Sequence, residues 1–340
     1  MKKMKLAAVA AAAPLAGWTA YSYTKMNKPV PSEEEARAYA KSLLTRVGLG
    51  ELEGTWTEER LELGDRKLAL YHFKGDPGDP VMVFVPGTSV YALLYTEYMF
   101  KLSRQGFNVV GFDPRGHGMS TGRRGVYTLG QLVEDAKAVI DHAIETYGDK
   151  VAISGSSQGG MVAFYCAAAE PRLKAAVCHN VIAPDEPDNE RMTRWPGMFR
   201  PLMPFLSLLQ PVVDSPLGSL MTPVYLYLDL KAETSRLIPD VAKFLREDPL
   251  VASAVSLSAL HSLASTLLAV KVEEIKTPVM VIHAGRDSIF PEDYVRRVYA
   301  RLTCEKEFLY LGDAPHLVMT DYVDDLIPPV SDWLKKMMER

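Results

Sequence analysis

The pentapeptide Gly155-Ser156-Ser157-Gln158-Gly159 sets a serine between two glycines. It directly follows the apolar run Lys150-Val151-Ala152-Ile153-Ser154 and directly precedes a helix-forming stretch, Gly160-Met161-Val162-Ala163-Phe164-Tyr165-Cys166-Ala167-Ala168-Ala169. A strand, a serine turn and a helix in immediate succession force the serine into an unfavourable backbone conformation that points its hydroxyl outward. The flanking glycines let strand and helix approach closely, and the backbone N–H of Gln158 is aimed at an oxygen that gains negative charge. Ser157 is therefore the candidate nucleophile. On its own such a pattern arises by chance in about one in ten chains of this size, so its partners decide the matter. Serine is a weak nucleophile at neutral pH and needs a base within hydrogen-bond reach and an acid to fix that base's tautomer. Asp287 follows the strand Pro278-Val279-Met280-Val281-Ile282-His283 through Ala284-Gly285-Arg286, and His316 follows Lys306-Glu307-Phe308-Leu309-Tyr310-Leu311 through Gly312-Asp313-Ala314-Pro315. None of the other histidines (His72, His117, His142, His179, His261 and His283) stands on the loop after the last strand. Asp313 and Asp185 compete with Asp287 for the acid's role.

The chain order Ser, Asp, His is that of α/β-hydrolases. Residues 80–337 resemble that superfamily, and Gly111-Phe112-Asp113-Pro114-Arg115-Gly116-His117-Gly118-Met119-Ser120-Thr121-Gly122-Arg123-Arg124-Gly125 is similar to its monoacylglycerol lipase and lysophospholipase-like branch. Phe244-Leu245-Arg246-Glu247-Asp248-Pro249-Leu250-Val251 carries a second similarity to that branch. The resemblance implies an α/β fold, a mostly parallel doubly wound sheet with an inserted helical cap. It also implies hydrolysis of carboxylic esters of moderately apolar acyl chains, monoacylglycerol or lysophospholipid among them. A serine in the nucleophile position argues against dehalogenase and epoxide hydrolase chemistry, which needs a carboxylate there. Amide or thioester cleavage, or acyl transfer, would use the same three residues, and a noncatalytic binding protein on this fold is the remote alternative.

An oxyanion hole needs two N–H donors. Gln158 supplies one. The loop after Val85 reads Pro86-Gly87-Thr88-Ser89; relatives usually carry His-Gly there, and proline replaces that histidine. With the glycine kept, Thr88 is the expected second donor and Ser89 the next choice. The Asp113-to-Gly118 turn reads as a buttress, with Asp113 and Arg115 paired and His117 packed beside them, and Arg123 and Arg124 read as a solvated loop. Neither a metal nor an organic cofactor is called for, and the small-molecule ester or lipid is the expected partner.

These residues must be positioned by a full core, which 340 residues with 48% apolar and 24% charged composition can supply. A net charge of −4 gathers no nucleic acid. Cys166, Cys178 and Cys304 lie far apart and read as buried small hydrophobes. A capping box at Ser32 and Glu35 opens a helix to about Gly48, with Ala36, Tyr39, Leu43 and Val47 on one face. Two alternating runs, 59–63 and 66–73, joined at Gly64-Asp65, predict a hairpin. The runs 81–85, 107–112, 151–154, 173–178, 279–283 and 308–311 predict parallel strands covered on both faces. The expected organisation is a leader at 1–23, a linker and helix at 24–48, core at 49–183, a cap at 184–265, and core again at 266–340.

The cap is crowded with apolar residues such as Phe205, Leu208, Leu209, Val212, Val213 and Leu228, and its prolines at 201, 204, 211, 216 and 223 keep helices short. That composition predicts an acyl-binding surface over the serine. At the other end, Met1-Lys2-Lys3-Met4-Lys5 precedes an apolar stretch of about fifteen residues, short against the roughly twenty of a membrane span. Three readings stand: a cleaved export signal, favoured by Ala20-Tyr21-Ser22; a retained membrane tether anchored by Trp18, Tyr21 and Tyr23; and a cytosolic alanine-rich helix. The first two place the protein in the periplasm, outside the cell, or on a membrane.

Overall fold

The computed structural model describes residues 28–230, 233 and 235–339. The expected leader at 1–23 lies outside them, and no helix among the described residues is long and apolar enough to cross a membrane. Helix α1 (Glu33–Arg46) starts at the expected capping box: Glu35 N–H donates to Ser32 Oγ at 3.2 Å, and Ser32 N–H donates to Glu35 at 2.8 Å. It buries Ala36, Ala40, Leu43 and Leu44.

Strands β1 (Thr57–Leu63) and β2 (Arg66–Phe73) form the hairpin. Then come β3 (Val81–Val85), α2 (Thr96–Ser103), β4 (Asn108–Asp113), α3 (Leu129–Tyr147), β5 (Val151–Ser156), α4 (Gln158–Ala169) and β6 (Ala175–His179). After the cap follow β9 (Val279–Ala284), α7 (Glu292–Arg301), β10 (Lys306–Leu311) and α8 (Val323–Met338). The sheet order is β1-β2-β4-β3-β5-β6-β9-β10, parallel throughout except where β1 meets β2 and β2 meets β4. This is the mostly parallel, helix-flanked α/β sheet the alternation of runs predicts. Strands β3 to β6 and β9 are buried along their whole length because helices cover both faces. Strand β10 departs from that expectation: it is the sheet's edge, and Tyr310 is exposed there.

Between β6 and β9 the prolines break the chain into one-turn pieces, among them Pro196–Phe199 and Gln210–Val213, with α5 (Val241–Glu247) and α6 (Leu257–Ser265) beyond. A small antiparallel pair, β7 (Met221–Pro223) with β8 (Ala254–Ser256), ties the middle of this cap to its later part. Three-residue strands show no alternation, which is why the sequence did not announce them.

Two expectations about the Asp113 turn are corrected. Asp113 does not pair with Arg115; it accepts from Tyr71 Oη (2.9 Å), Ala92 N–H (2.7 Å) and Met119 N–H (2.8 Å). Arg115 instead forks onto Asp135 of α3, at 2.9 and 2.7 Å. Nor is Arg124 solvated: it is 2% exposed and donates to Leu250 O at 2.7 Å, joining this loop to the cap. The 244–251 segment is structural for a related reason, since buried Asp248 accepts from Tyr91 Oη at 3.0 Å and Leu250 N–H at 2.7 Å.

Candidate active site

Ser157 joins β5 to α4 with φ 55° and ψ −117°, a left-handed conformation that a non-glycine residue adopts only when its surroundings impose it. The surroundings are crowded. A Cβ on Gly155 would stand 2.1 Å from Gly159 O, and one on Gly159 would stand 2.1 Å from Val85 O at the end of β3. Gly160 is under the same constraint, 2.3 Å from His179 O of β6, so three glycines rather than two let α4 start against the sheet. Every residue from Val151 to Gly160 is buried except Ser157, which keeps partial exposure.

His316 and Asp287 meet on the loops after β10 and β9. His316 Nδ1 stands 2.7 Å from Asp287 Oδ2, and the two side chains are 4% and 0% exposed. Asp287 is further held by Ile289 N–H (2.8 Å), Phe290 N–H (2.9 Å) and Asn180 Nδ2 (3.0 Å). Burial pushes its carboxyl toward the neutral form, yet the His316 ring and these donors prevail and hold its pKa well below the usual carboxylate range. The same contest raises His316: burial opposes the imidazolium, while Asp287 and then Glu233 favour it. Phe290 stacks on the ring, 5.7 Å between centroids and 6° between planes.

The rival acids stand elsewhere. Asp185 pairs with Arg301 at 2.7 Å, and Asp313 meets Arg286 only through its backbone carbonyl. No hydrogen bond joins Ser157 to His316 among the described residues; the hydrogen bond the ring makes is with Asp287. Ser157, Gln158 and Thr88 open into one cavity of about 370 Å³, within the size range of small-molecule sites. Its walls are mostly apolar, with Met161 and Phe290 from the core and Phe199, Leu209, Val213 and Leu260 from the cap. Ser89 sits apart from it, fully buried at φ 68°, and its carbonyl accepts Ala252 N–H at 2.9 Å. Tyr127 Oη donates to the Gln158 side chain at 3.1 Å, which pins the residue whose backbone follows the serine.

One residue at the site escaped the sequence reading. Glu233, in the cap and 1% exposed, accepts His316 N–H at 2.8 Å, Ser288 N–H at 3.1 Å and Ser288 Oγ at 2.6 Å. Three donors thus converge on its two side-chain oxygens. It bridges the loop of the acid to the loop of the histidine, and no local spacing marks it.

Asp287 and His316 thus meet beyond the carboxyl ends of the last two strands of a sheet that also carries a strained serine elbow, a layout that matches the α/β-hydrolase class. Within that class the chain belongs to the serine aminopeptidase S33 family, whose model matches residues 76–322. A monoacylglycerol lipase from Paleococcus ferrophilus has the same fold, with TM-score 0.62 and 24% identity over 80% of this chain and 99% of that one. A soluble variant of the Saccharomyces cerevisiae monoglyceride lipase, solved with a substrate analog, gives TM-score 0.66 at 17% identity over 83% of this chain and 96% of that one. A protein of Mycobacterium phage D29 named as a candidate non-heme haloperoxidase is 35% identical over 107 residues, 31% of this chain. The chain spans 37% of that curated relative's length.

Proposed function

We propose that this hydrolase is a serine esterase that cleaves carboxylic esters of moderately apolar acyl chains through an acyl-enzyme. The observation that carries the reading is the largely apolar cavity of about 370 Å³ into which Ser157, the one residue of the elbow that is not buried, opens. Asp287 engages His316 Nδ1, which leaves Nε2 as the basic nitrogen. In the proposed reaction Nε2 takes the Ser157 proton as Oγ bonds to the ester carbonyl carbon. The carbonyl electron pair moves onto oxygen, where the Gln158 and Thr88 N–H groups receive it. Collapse breaks the bond to the alcohol, which leaves with the proton from His316. Water, deprotonated by the same nitrogen, then releases the acid and restores Ser157. Metal, nucleotide and organic cofactors have no part in these steps.

The monoacylglycerol lipases of the same fold support a monoacylglycerol as substrate. A second reading, hydrolysis of an amide from a chain's amino terminus, is favoured by the family's description and by one charged wall residue, Glu190. Rates on p-nitrophenyl esters and on aminoacyl p-nitroanilides separate the two. The esterase reading expects turnover of esters at least about a hundredfold above anilides, and the reverse order would sink it.

A further inference from the structure

Glu59 on β1, His72 on β2 and His142 on α3 meet against the antiparallel edge of the sheet. Strand alternation brings the first two together: Glu59 shares a face with Leu61 and Leu63, and His72 shares one with Leu70 and Leu68. The register pairs Thr57 with His72 and Glu59 with Leu70, so these faces coincide. Glu59 Oε2 lies 3.0 Å from His72 Nε2 and 3.2 Å from His142 Nε2. The three ligand atoms all lie within 4.8 Å of one another.

His72 is 5% exposed, and its Nε2 faces Glu59 Oε2 at 3.0 Å without the alignment of a hydrogen bond. Its other nitrogen, Nδ1, meets Tyr147 Oη at 2.9 Å. A hydrogen bond at one ring nitrogen is what fixes the ring of a ligand histidine and presents the other nitrogen to an ion. Glu59 is 43% exposed and His142 17%, which leaves an approach from solvent.

We propose that Glu59, His72 and His142 form a site for a divalent transition-metal ion, zinc above all, with water in the fourth position. Two imidazole nitrogens and one carboxylate oxygen suit zinc, whereas magnesium and calcium take oxygen sets. With bonds of about 2.0–2.1 Å, the corners of a zinc tetrahedron stand roughly 3.3 Å apart. The 3.0 and 3.2 Å separations at Glu59 are close to that edge. In the sheet β2 is separated from β5 by β4 and β3, roughly 14 Å at the usual strand spacing. The ion therefore clamps the β1–β2 hairpin to α3 and takes no part in ester cleavage.

The test is calorimetric titration of ZnCl2 into the chelator-treated full chain, with His142→Ala, Glu59→Ala and His316→Ala beside it. The last variant is needed because His179, Asp287 and His316 also place ligand atoms within 4.8 Å of one another. Alanine is a good helix former at His142 and Glu59 is a surface strand residue, so both variants are expected to fold. One zinc per chain is expected, with affinity unchanged in His316→Ala and weakened at least about 100-fold in His142→Ala and Glu59→Ala. Zinc should raise Tm in the parent and not in His142→Ala, while metal-free His142→Ala keeps the parent's ester turnover. Absence of zinc binding, equal affinity in the parent and His142→Ala, or binding lost only in His316→Ala would each overturn the site.

Discussion

Glu233→Gln perturbs the site with the least change of shape. The side chain keeps its volume and one carbonyl oxygen, but the amide end turns a donor toward a donor whichever way it lies. In one orientation His316 N–H loses its 2.8 Å acceptor, and in the other Ser288 loses the acceptor of its N–H and hydroxyl at 3.1 and 2.6 Å. Ser288 Oγ can rotate to accept, and the cost of about 1–3 kcal/mol applies where the buried His316 N–H is the one left without its acceptor. Both orphaned groups lie on the loops that set Asp287 against His316. If the whole cost falls on the transition state, kcat/KM drops by roughly 5- to 150-fold, carried by kcat with KM little changed. The pH profile supplies an independent sign. His316 must be neutral to accept the serine proton, so the rate climbs as pH passes the folded pKa of that ring. Burial lowers this pKa, while Asp287 and Glu233 raise it and prevail. Removing the Glu233 charge lowers it, and the acid limb of the kcat/KM profile should move to lower pH. Steady-state hydrolysis of p-nitrophenyl butyrate between pH 5 and 9 measures both effects. A variant with the parent's kcat and an unmoved acid limb would refute the role given to Glu233.

Asp287→Asn should cut kcat by about 10⁴ with a parent-like melting curve, because the wrong tautomer of His316 is then favoured; a loss under tenfold would return the acid's role to another carboxylate. Gly160→Ala places a methyl 2.3 Å from His179 O and should destabilise the fold by about 3 kcal/mol or more, read as a fall in Tm. An unchanged Tm would mean that α4 can move off the sheet freely. Burial lowers the pKa of His117 to about 4 and that of His179 to about 3. At these two rings the unfolded chain therefore binds more protons than the fold once pH drops below about 6.5, and their contribution to stability falls as acid is added. For His117 alone the loss approaches the order of 3 kcal/mol near pH 4. Tm recorded from pH 8 to pH 4 should decline, with a shallower slope in His117→Gln; equal slopes would contradict the assignment.

The elbow was legible because everything that defines it is local: a β-branched run, two glycines two residues from a serine, and a helix former. Gly160 was not, since its need arises from the carbonyl of His179 on another strand. The acid and histidine were legible through the order of strands, which parallel topology converts into proximity at one end of the sheet. Glu233 lies 83 residues from His316, inside a cap whose path no periodicity fixes, so nothing local could mark it. The Asp113-to-Gly118 turn misled for a related reason. Charges adjacent in sequence suggested a pair, whereas folding handed Arg115 to Asp135 on α3 and surrounded Asp113 with Tyr71 and two backbone donors.

The central claim is that Ser157 carries out ester cleavage beneath an apolar cap. Turnover of p-nitrophenyl esters from acetate to palmitate, by the full chain and by Ser157→Ala, tests it most directly. The account predicts that kcat/KM rises from acetate to a chain the cavity of about 370 Å³ can hold and then falls. It also predicts that Ser157→Ala abolishes turnover at every length while remaining folded. Retained activity in that variant, or rates indifferent to chain length, would contradict it.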